Sequence, residues 1–441
     1  MEIAGLEIAK WVIAQVPHAE TIWIACGRGN NGGDGMEAAI HLHGWGKNVK
    51  VSLLPGESQL AAESSKARDK LARAGISIQA EPPAFWDVCV DALLGIGLRC
   101  APLDPYGRWI ELMNHHHSPT LAVDTPSGLN ADTGSTPGKW VRANATLTLL
   151  GLKPGLFTGQ GRDACGDIWL NNLGINSTRE SFASLNPPSE LPFRQHSSHK
   201  GSFGDVGILG GAQGMEGAAV LAARAALHAG AGRVYLACLH GSELQALSIP
   251  KDIMRRQPEA LAPMGLTLVA GCGGGEEISR FLPNWIRQAE RLVLDADALN
   301  AIAREPDLAQ MLPHRPPETT VLTPHPLEAA RLLGCNTADV QADRIQAAQR
   351  LADVFQCTVI LKGSGSIIAA PGKRPRVNPT GNALLAIGGT GDVLAGLTGT
   401  LLGQHRSAWD AASHACYLHG ALADRWPTGK ALTASRLLDS M

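Results

Sequence analysis

Short β-branched runs alternate with helical patterns in two separate series along this chain, and that alternation narrows the fold more than anything else in it. The first series reads TIWIACG from Thr21, then NVKVSLL, WDVCVDALLG, TLAVDTPSG and ATLTLL. The second begins at Asp205 and reads DVGILGG, RVYLACL, LTLVAGCG, RLVLDADAL, TTVLTPHP and CTVILKG, with helical stretches such as AAVLAARAALHAG and DRIQAAQRLADVF between them. Strands that alternate with helices build parallel sheets covered on both faces. Two α/β domains are expected, and a length of 441 residues accommodates both. The Ser- and Pro-rich stretch between the series has no apolar period and is expected to be a linker over 177–200, separating domains 1–176 and 201–441.

The charge balance limits the partners. Thirty-eight basic and 40 acidic residues leave a net charge of -2, too small for the electrostatic footprint of a nucleic-acid or anionic-membrane binder. No apolar run reaches the length of a membrane span, and the first residues lack the pattern of a secretion signal. The nine cysteines are scattered, with no Cys-x-x-Cys pair. That spacing points to reduced thiols and a cytoplasmic protein rather than a disulfide framework or a zinc site.

Glycine is enriched, at 50 residues, and it gathers where strands end. After TIWIACG comes GRGNNGGDG, where Asn30, Asn31 and Asp34 stand among glycines ahead of a helical pattern. A Gly-rich turn lets backbone approach a ligand, and a following helix N-terminus attracts an anion such as a pyrophosphate. Two more strand ends carry oxygen ligands, VDALLGIGLR with Asp91 and AVDTPSGLNADTG with Asp124 and Ser127. Ligands of open α/β sheets bind outside the carboxyl ends of the strands, so the three segments are expected to converge. Asn31, Asp91 and Ser127 together suit a hard cation. In contrast, Asn114-His115-His116-His117 reads as a solvated helix end, because consecutive imidazoles of a regular element diverge.

GNNGGDG, VDALLGIGL, AVDTPSGLNADTG and LKPGLFTG together resemble the YjeF amino-terminal domain of the NAD(P)H-hydrate epimerases. The resemblance implies a Rossmann-like three-layer αβα fold and makes Asp124 the acid/base. It implies Asn31, Asp91 and Ser127 as potassium ligands. It also implies contacts to the hydrated nucleotide from Asn30, Asn31, Gly32, Gly33 and Asp34, and from Gly95, Ile96, Gly97, Leu98, Arg99, Cys100 and Ala101. The family pattern continues ahead of Met1 by one helix-sized segment, so the first domain is expected to be shortened there, and the family prefers Ile at Thr125.

In the second series the richest segment is NPTGNALLAIGGTGDVLAGLTGTLLGQ. GGTGD stands immediately before an apolar helix pattern, which gathers unpaired N–H groups beside the Asp392 carboxylate. An anion hole with a base suits phosphoryl transfer to a hydroxyl. LKGSGS adds a lysine and flexible backbone at a strand end. With SHKGSFGDVGILGG, LDADALN and TPHPLEAARLLG, these motifs resemble the ADP- or ATP-dependent NAD(P)H-hydrate dehydratases of the ribokinase-like fold. The resemblance implies Asp392 as general base, and Lys362, Gly363, Ser364, Gly365, Ser366 and Gly391 around the adenine nucleotide with Mg2+. Ala218, Gly273 and His325 are implied near the hydrate, although His325 read alone is a capping or packing histidine. Cys272 stands where the family has Pro, and NALLAIGG departs from NPGMATGG.

The expectation is a fused α/β enzyme that epimerises R and S NAD(P)H-hydrate and dehydrates the S form. Its expected ligands are NADHX or NADPHX, an adenine nucleotide, K+ and Mg2+, and it is expected to be a homo-oligomer. Because the GGTGD hole belongs to ribokinase-like kinases broadly, a small-molecule kinase carrying a non-catalytic binding domain is the alternative.

Overall fold

The computed structural model describes residues 1–54, 60–98, 100–175, 180–191, 194–240, 249–261, 265–404 and 406–441. They form two compact units, Met1–Glu180 and Ser181–Met441.

The first unit holds seven strands: β1 (Thr21–Cys26), β2 (Asn48–Leu53), β3 (Ile78–Gln79), β4 (Val88–Ala92), β5 (Thr120–Val123), β6 (Ala145–Leu149) and β7 (Asp167–Asn171). All pair in parallel, in the order β3-β2-β1-β4-β5-β6-β7, with Ile24 opposite Val90 and Val90 opposite Leu121. Side chains alternate across a strand, and β1 divides accordingly. Ile22, Ile24 and Cys26 pack with helices Glu2–Gln15, Asn30–Gly44 and Ala62–Arg73 on one face. Trp23 and Ala25 pack with Trp86 and helix Tyr106–His115 on the other, completing three layers. The Trp23 ring lies 4.7 Å from Trp86 and 5.9 Å from Trp109, and its Nε1 donates to Ser52 Oγ at 3.0 Å. Each such aromatic pair adds about 0.5–1.5 kcal/mol beyond its burial.

The second unit carries β8 (Ser184–Leu185), β9 (Asp205–Gly210), β10 (Arg233–Cys238), β11 (Ile253–Arg255), β12 (Thr267–Ala270), β13 (Arg291–Leu294), β14 (Thr320–Leu322), β15 (Thr358–Leu361), β16 (Ile367–Ala369) and β17 (Arg376–Val377). The order is β11-β10-β9-β12-β13-β14-β15-β16-β17-β8. Pairing is parallel from β11 to β15, while β16 runs antiparallel to both of its neighbours. Helices Glu216–His228 and Thr390–Gly403 pack on Val206, Ile208, Val269 and Val293 of the central strands. Their contact is close because Gly396 has no side chain: a Cβ there would stand 2.1 Å from the Ala222 carbonyl oxygen.

The linker expected over 177–200 is corrected in part. Residues 176–179, 192 and 193 lie outside the described residues. Ser184 and Leu185 form β8 beside β17, and Asn186 is buried, its Nδ2 donating to Asn378 Oδ1 at 3.0 Å and to the Ser413 carbonyl at 2.7 Å. A two-residue strand is too short to leave a period in sequence. No helix among the described residues is long and apolar enough to cross a membrane.

Candidate active sites

In the first sheet the strand order reverses at β1 and β4, and the expected segments leave their carboxyl ends there. GRGNNGGDG, expected as a loop, is mostly helix: Asn30–Gly44 begins inside it. None of its glycines takes a positive φ. Gly27, Gly32, Gly33 and Gly35 serve packing instead: a Cβ on Gly32 would lie 1.9 Å from the Gly27 carbonyl oxygen.

A cavity of about 1150 Å³ opens at this end. Asn30, Asn31, Asp34, Asp124 and Lys153 line it, with Gly95, Ile96, Gly97, Leu98, Cys100 and Ala101 along one wall. Arg99 lies outside the described residues. Gly32 and Gly33, expected to touch the nucleotide, do not line the cavity. Gly32 faces Gly27, and Gly33 faces the Met1 side chain and Ser64 Oγ.

Asp124 has φ 66°, a left-handed conformation that Asp tolerates better than most residues. Its amide donates to the Leu147 carbonyl at 2.8 Å, and Oδ1 accepts from the Leu149 amide at 3.1 Å. The Lys153 ammonium also donates to Oδ1. Thr148 Oγ1 at 2.9 Å and the Leu149 carbonyl at 2.7 Å fix that ammonium further. Lys153 stands inside LKPGLFTG, 29 residues from Asp124, and no local signal reaches from there to Asp124.

Asp91 and Ser127 are fully buried beneath the cavity floor. Ser127 donates to Asp91 through its amide at 2.8 Å and its hydroxyl at 2.6 Å. Leu94 joins the set, its amide donating to Ser127 Oγ at 2.8 Å and its carbonyl accepting from Asn31 Nδ2 at 3.0 Å. Asn31 Oδ1 is buried with no partner. Burial pushes the Asp91 carboxyl up to about 6, although its bonds from Ser127 and Leu93 oppose the shift. The three oxygen-bearing residues expected to hold a cation thus meet around Leu94, one of them with an acceptor unused.

The second site lies at the carboxyl ends of β12 to β15. Asp392 is on the first turn of helix Thr390–Gly403, whose N-cap, Gly389, takes φ 93°. The first N–H groups of such a helix have no intrahelical partner. Burial pushes the Asp392 carboxyl up to about 7, Asp295 reinforcing the shift, while a bond from the Cys272 thiol and the charge of Lys362 pull the other way. Burial, with the same carboxylates, raises the Cys272 thiol far above its ordinary range.

Lys362, expected to meet a phosphate, is largely buried and points at Asp295, with Nζ 2.6 Å from Oδ1. Thr323 Oγ1 donates to the same oxygen at 2.7 Å. A Cβ on Gly391 would stand 3.4 Å from Nζ, so the ammonium also reaches the helix N-terminus. Glu328 lies 4.0 Å from Nζ, and burial pushes its carboxyl up to about 7. Gly363, Ser364, Gly365 and Ser366 turn the chain from β15 into β16, and the buried Arg344 closes on this turn through the Leu361 and Lys362 carbonyls. Ala218 and Gly273 are neighbours: a Cβ on Gly273 would stand 3.0 Å from that of Ala218. His325 caps helix Pro326–Leu333, its Nδ1 accepting from the Leu327 and Glu328 amides.

Residues 206–441 match the family model described as NAD(P)H-hydrate dehydratase, and residues 1–155 match that of the YjeF-related protein N-terminus. The chain is 38% identical over 427 residues to the bifunctional NAD(P)H-hydrate repair enzyme Nnr of Escherichia coli, covering 92% of this chain and 81% of that protein. The chain belongs to the NAD(P)H-hydrate repair enzyme family. The Nnr of Coxiella burnetii is 36% identical, over 96% of this chain and 89% of its own length. A ribokinase-like superfamily protein of Enterococcus faecalis superposes with a TM-score of 0.50 at 23% identity, over 57% of this chain and 89% of that one, which shows the fold of the second unit. Within the family frame, Asp295 and Glu328 are the residues that sequence reasoning left without a role. Both stand inside motifs it quoted, LDADALN and TPHPLEAARLLG, and only the fold brings them to Lys362.

Proposed function

We propose that this protein repairs hydrated NADH and NADPH, the first unit interconverting the R and S hydrates and the second dehydrating the S hydrate at the expense of ADP or ATP. The observation that carries the reading is the Asp392 carboxyl, raised to about 7 at the mouth of an open helix N-terminus. A carboxylate with that affinity for protons is a competent base near neutral pH. Asp392 takes the proton of the hydrate hydroxyl as its oxygen receives the terminal phosphoryl group. Phosphate then leaves with the C–O pair, and loss of the neighbouring ring proton restores the reduced nicotinamide. The Thr390–Gly403 N-terminus and Lys362 favour the negative charge that develops. Bound Mg2+ would screen the nucleotide phosphates.

In the first unit Asp124 moves the proton that the hydroxyl oxygen gains or loses while its carbon changes configuration. Asn31, Asp91 and Ser127 would hold K+, which supplies a fixed positive charge under the cavity floor. The unused Asn31 Oδ1 and the buried Asp91 carboxyl support that assignment. Melting the protein in potassium and in choline chloride tests it without an assay: K+ raises the midpoint, and Asn31→Leu removes the difference.

The reading as a whole is tested by incubating mixed hydrates with ADP or ATP and Mg2+ and following the absorbance of reduced nicotinamide. Recovery that needs the nucleotide and fails in Asp392→Asn supports it. Nucleotide-dependent phosphorylation of a small alcohol, with no recovery from the hydrates, would mark the second unit as a kinase.

A further inference from the structure

Two carboxyls open on the first cavity from different elements, Asp34 from helix Asn30–Gly44 and Asp124 from the turn after β5. Their surroundings are opposite. Asp124 accepts from the Lys153 ammonium and the Leu149 amide. Asp34 has no cationic side chain bonded to it among the described residues. Burial pushes its carboxyl up to about 6, and the charges of Asp124 and of Glu37, one turn on, push the same way. The α-amino group of Met1, the N-cap of helix Glu2–Gln15, opposes that shift. On helix Ala62–Arg73, Lys70 is already bonded to Glu37 at 2.8 Å and also to Glu2. The adjacent strand β4 presents Asp91, which is engaged with Ser127. One cavity therefore holds a carboxylate bonded to an ammonium and a carboxyl that burial makes keep its proton more readily, an asymmetry of surroundings that can separate a base from an acid.

We propose that R–S interconversion uses both carboxyls, Asp34 as acid and Asp124 as base, with Lys153 as the positioning residue that keeps their roles apart. The inference rests on the epimerase reading of this unit. The C–O bond of the hydrate breaks, its electron pair leaving on oxygen, which takes the Asp34 proton and departs as water. The ring-nitrogen lone pair forms a C=N bond, giving a cyclic iminium. Water adds to the other face as the C=N pair returns to nitrogen, and Asp124 takes the proton that water loses. Nothing is oxidised or reduced. The reaction moves one proton from Asp34 to Asp124, and the proton returns to Asp34 through solvent in the cavity.

The test is epimer exchange in the full chain without nucleotide, followed by chromatography in ¹⁸O-labelled water. Each inversion is expected to place one solvent oxygen on the hydrate. Asp34→Asn should slow exchange by about 10²-fold or more, and dehydration of the S hydrate by the second unit shows that the variant is folded. Wild-type exchange should fall as pH rises through about 6 and Asp34 loses its proton, and Lys153→Met should lower kcat for exchange with KM little changed, while Lys153→Arg restores it. An Asp34→Asn variant that exchanges at the wild-type rate, while Asp124→Asn does not, overturns the second carboxyl and leaves the epimerase reading standing. Inversion without solvent oxygen overturns the iminium route. A wild-type chain that dehydrates but exchanges nothing overturns the epimerase reading and this inference with it.

Discussion

Lys362 Nζ lies 2.6 Å from Asp295 Oδ1, and this buried pair stands directly behind Asp392. Burial alone would lower the lysine, but the Asp295 and Glu328 carboxylates outweigh it and hold the ammonium above its ordinary pKa. Its charge in turn draws the Asp392 carboxyl down, against burial and Asp295. The lysine thus keeps three crowded carboxyls compatible at the base of the helix.

Removing that charge should be costly. Lys362→Met leaves Asp295 buried without its cation, and breaking one side of such a pair costs about 3–5 kcal/mol. Denaturant unfolding of the second unit checks the loss. If the variant turns over, the pH midpoint of dehydration should lie above that of the wild type, because Asp392 has lost the charge that favoured its ionised form.

Dehydration itself should rise with pH and level off once Asp392, raised to about 7, is ionised. Asp392→Asn should cut the rate by about 10²–10⁴. Its effect on stability runs the other way. A carboxyl whose pKa is raised by folding binds its proton more tightly in the folded state, so ionisation costs stability as pH climbs from the ordinary carboxylate range through about 7. The Asn variant should therefore melt higher than the wild type at about pH 8 and little differently at about pH 4.

How far the chain could be read follows from the range of each interaction. Strand runs such as TIWIAC and helix starts such as GGTGD are local signals, and β1 and the helix at Thr390 lie where they were expected. The convergence of Asn31, Asp91 and Ser127 was legible because parallel strands deliver their ends to one edge. Lys153 on Asp124, and Lys362 on Asp295, were not: each joins residues far apart in sequence, by a side-chain direction that only packing decides. The Gly-rich segment after β1 differs from its expectation for a related reason. Its composition points to a turn that brings backbone to a ligand, whereas Gly32 serves the close approach of a helix to the Gly27 turn.

Thr125 is a case where a sequence departure has a physical cost. Its side chain is fully buried and Oγ1 has no partner. A buried hydroxyl left unsatisfied costs about 1–3 kcal/mol. Thr125→Val keeps the shape and removes the polar atom, so it should raise the unfolding free energy of the first unit by about 1 kcal/mol. Thermal unfolding checks this, and a lowered midpoint would show that the hydroxyl meets a group such as a bound water.

The last expectation concerns where the second unit begins. A boundary drawn from the Ser- and Pro-rich composition would allow a cut near Ser189, but the chain before that point belongs to the second sheet. Ser184 and Leu185 extend it through β17, and Asn186 bonds to Asn378 and to the Ser413 carbonyl, tying the strand to helix Ala408–Asp424. Asn378 in turn donates to Thr380 and to the Cys416 carbonyl, ahead of the segment that leads into GGTGD. A fragment starting at Ser181 keeps this network, and one starting at Ser189 leaves the buried Asn378 Oδ1 without its Asn186 donor. A buried acceptor left bare costs about 1–3 kcal/mol. The Ser181 fragment should fold and dehydrate the S hydrate as the full chain does, while the Ser189 fragment unfolds at lower denaturant and loses activity in proportion to its unfolded fraction. Equal denaturation midpoints for the two fragments would show that the β8 segment contributes nothing to the second unit.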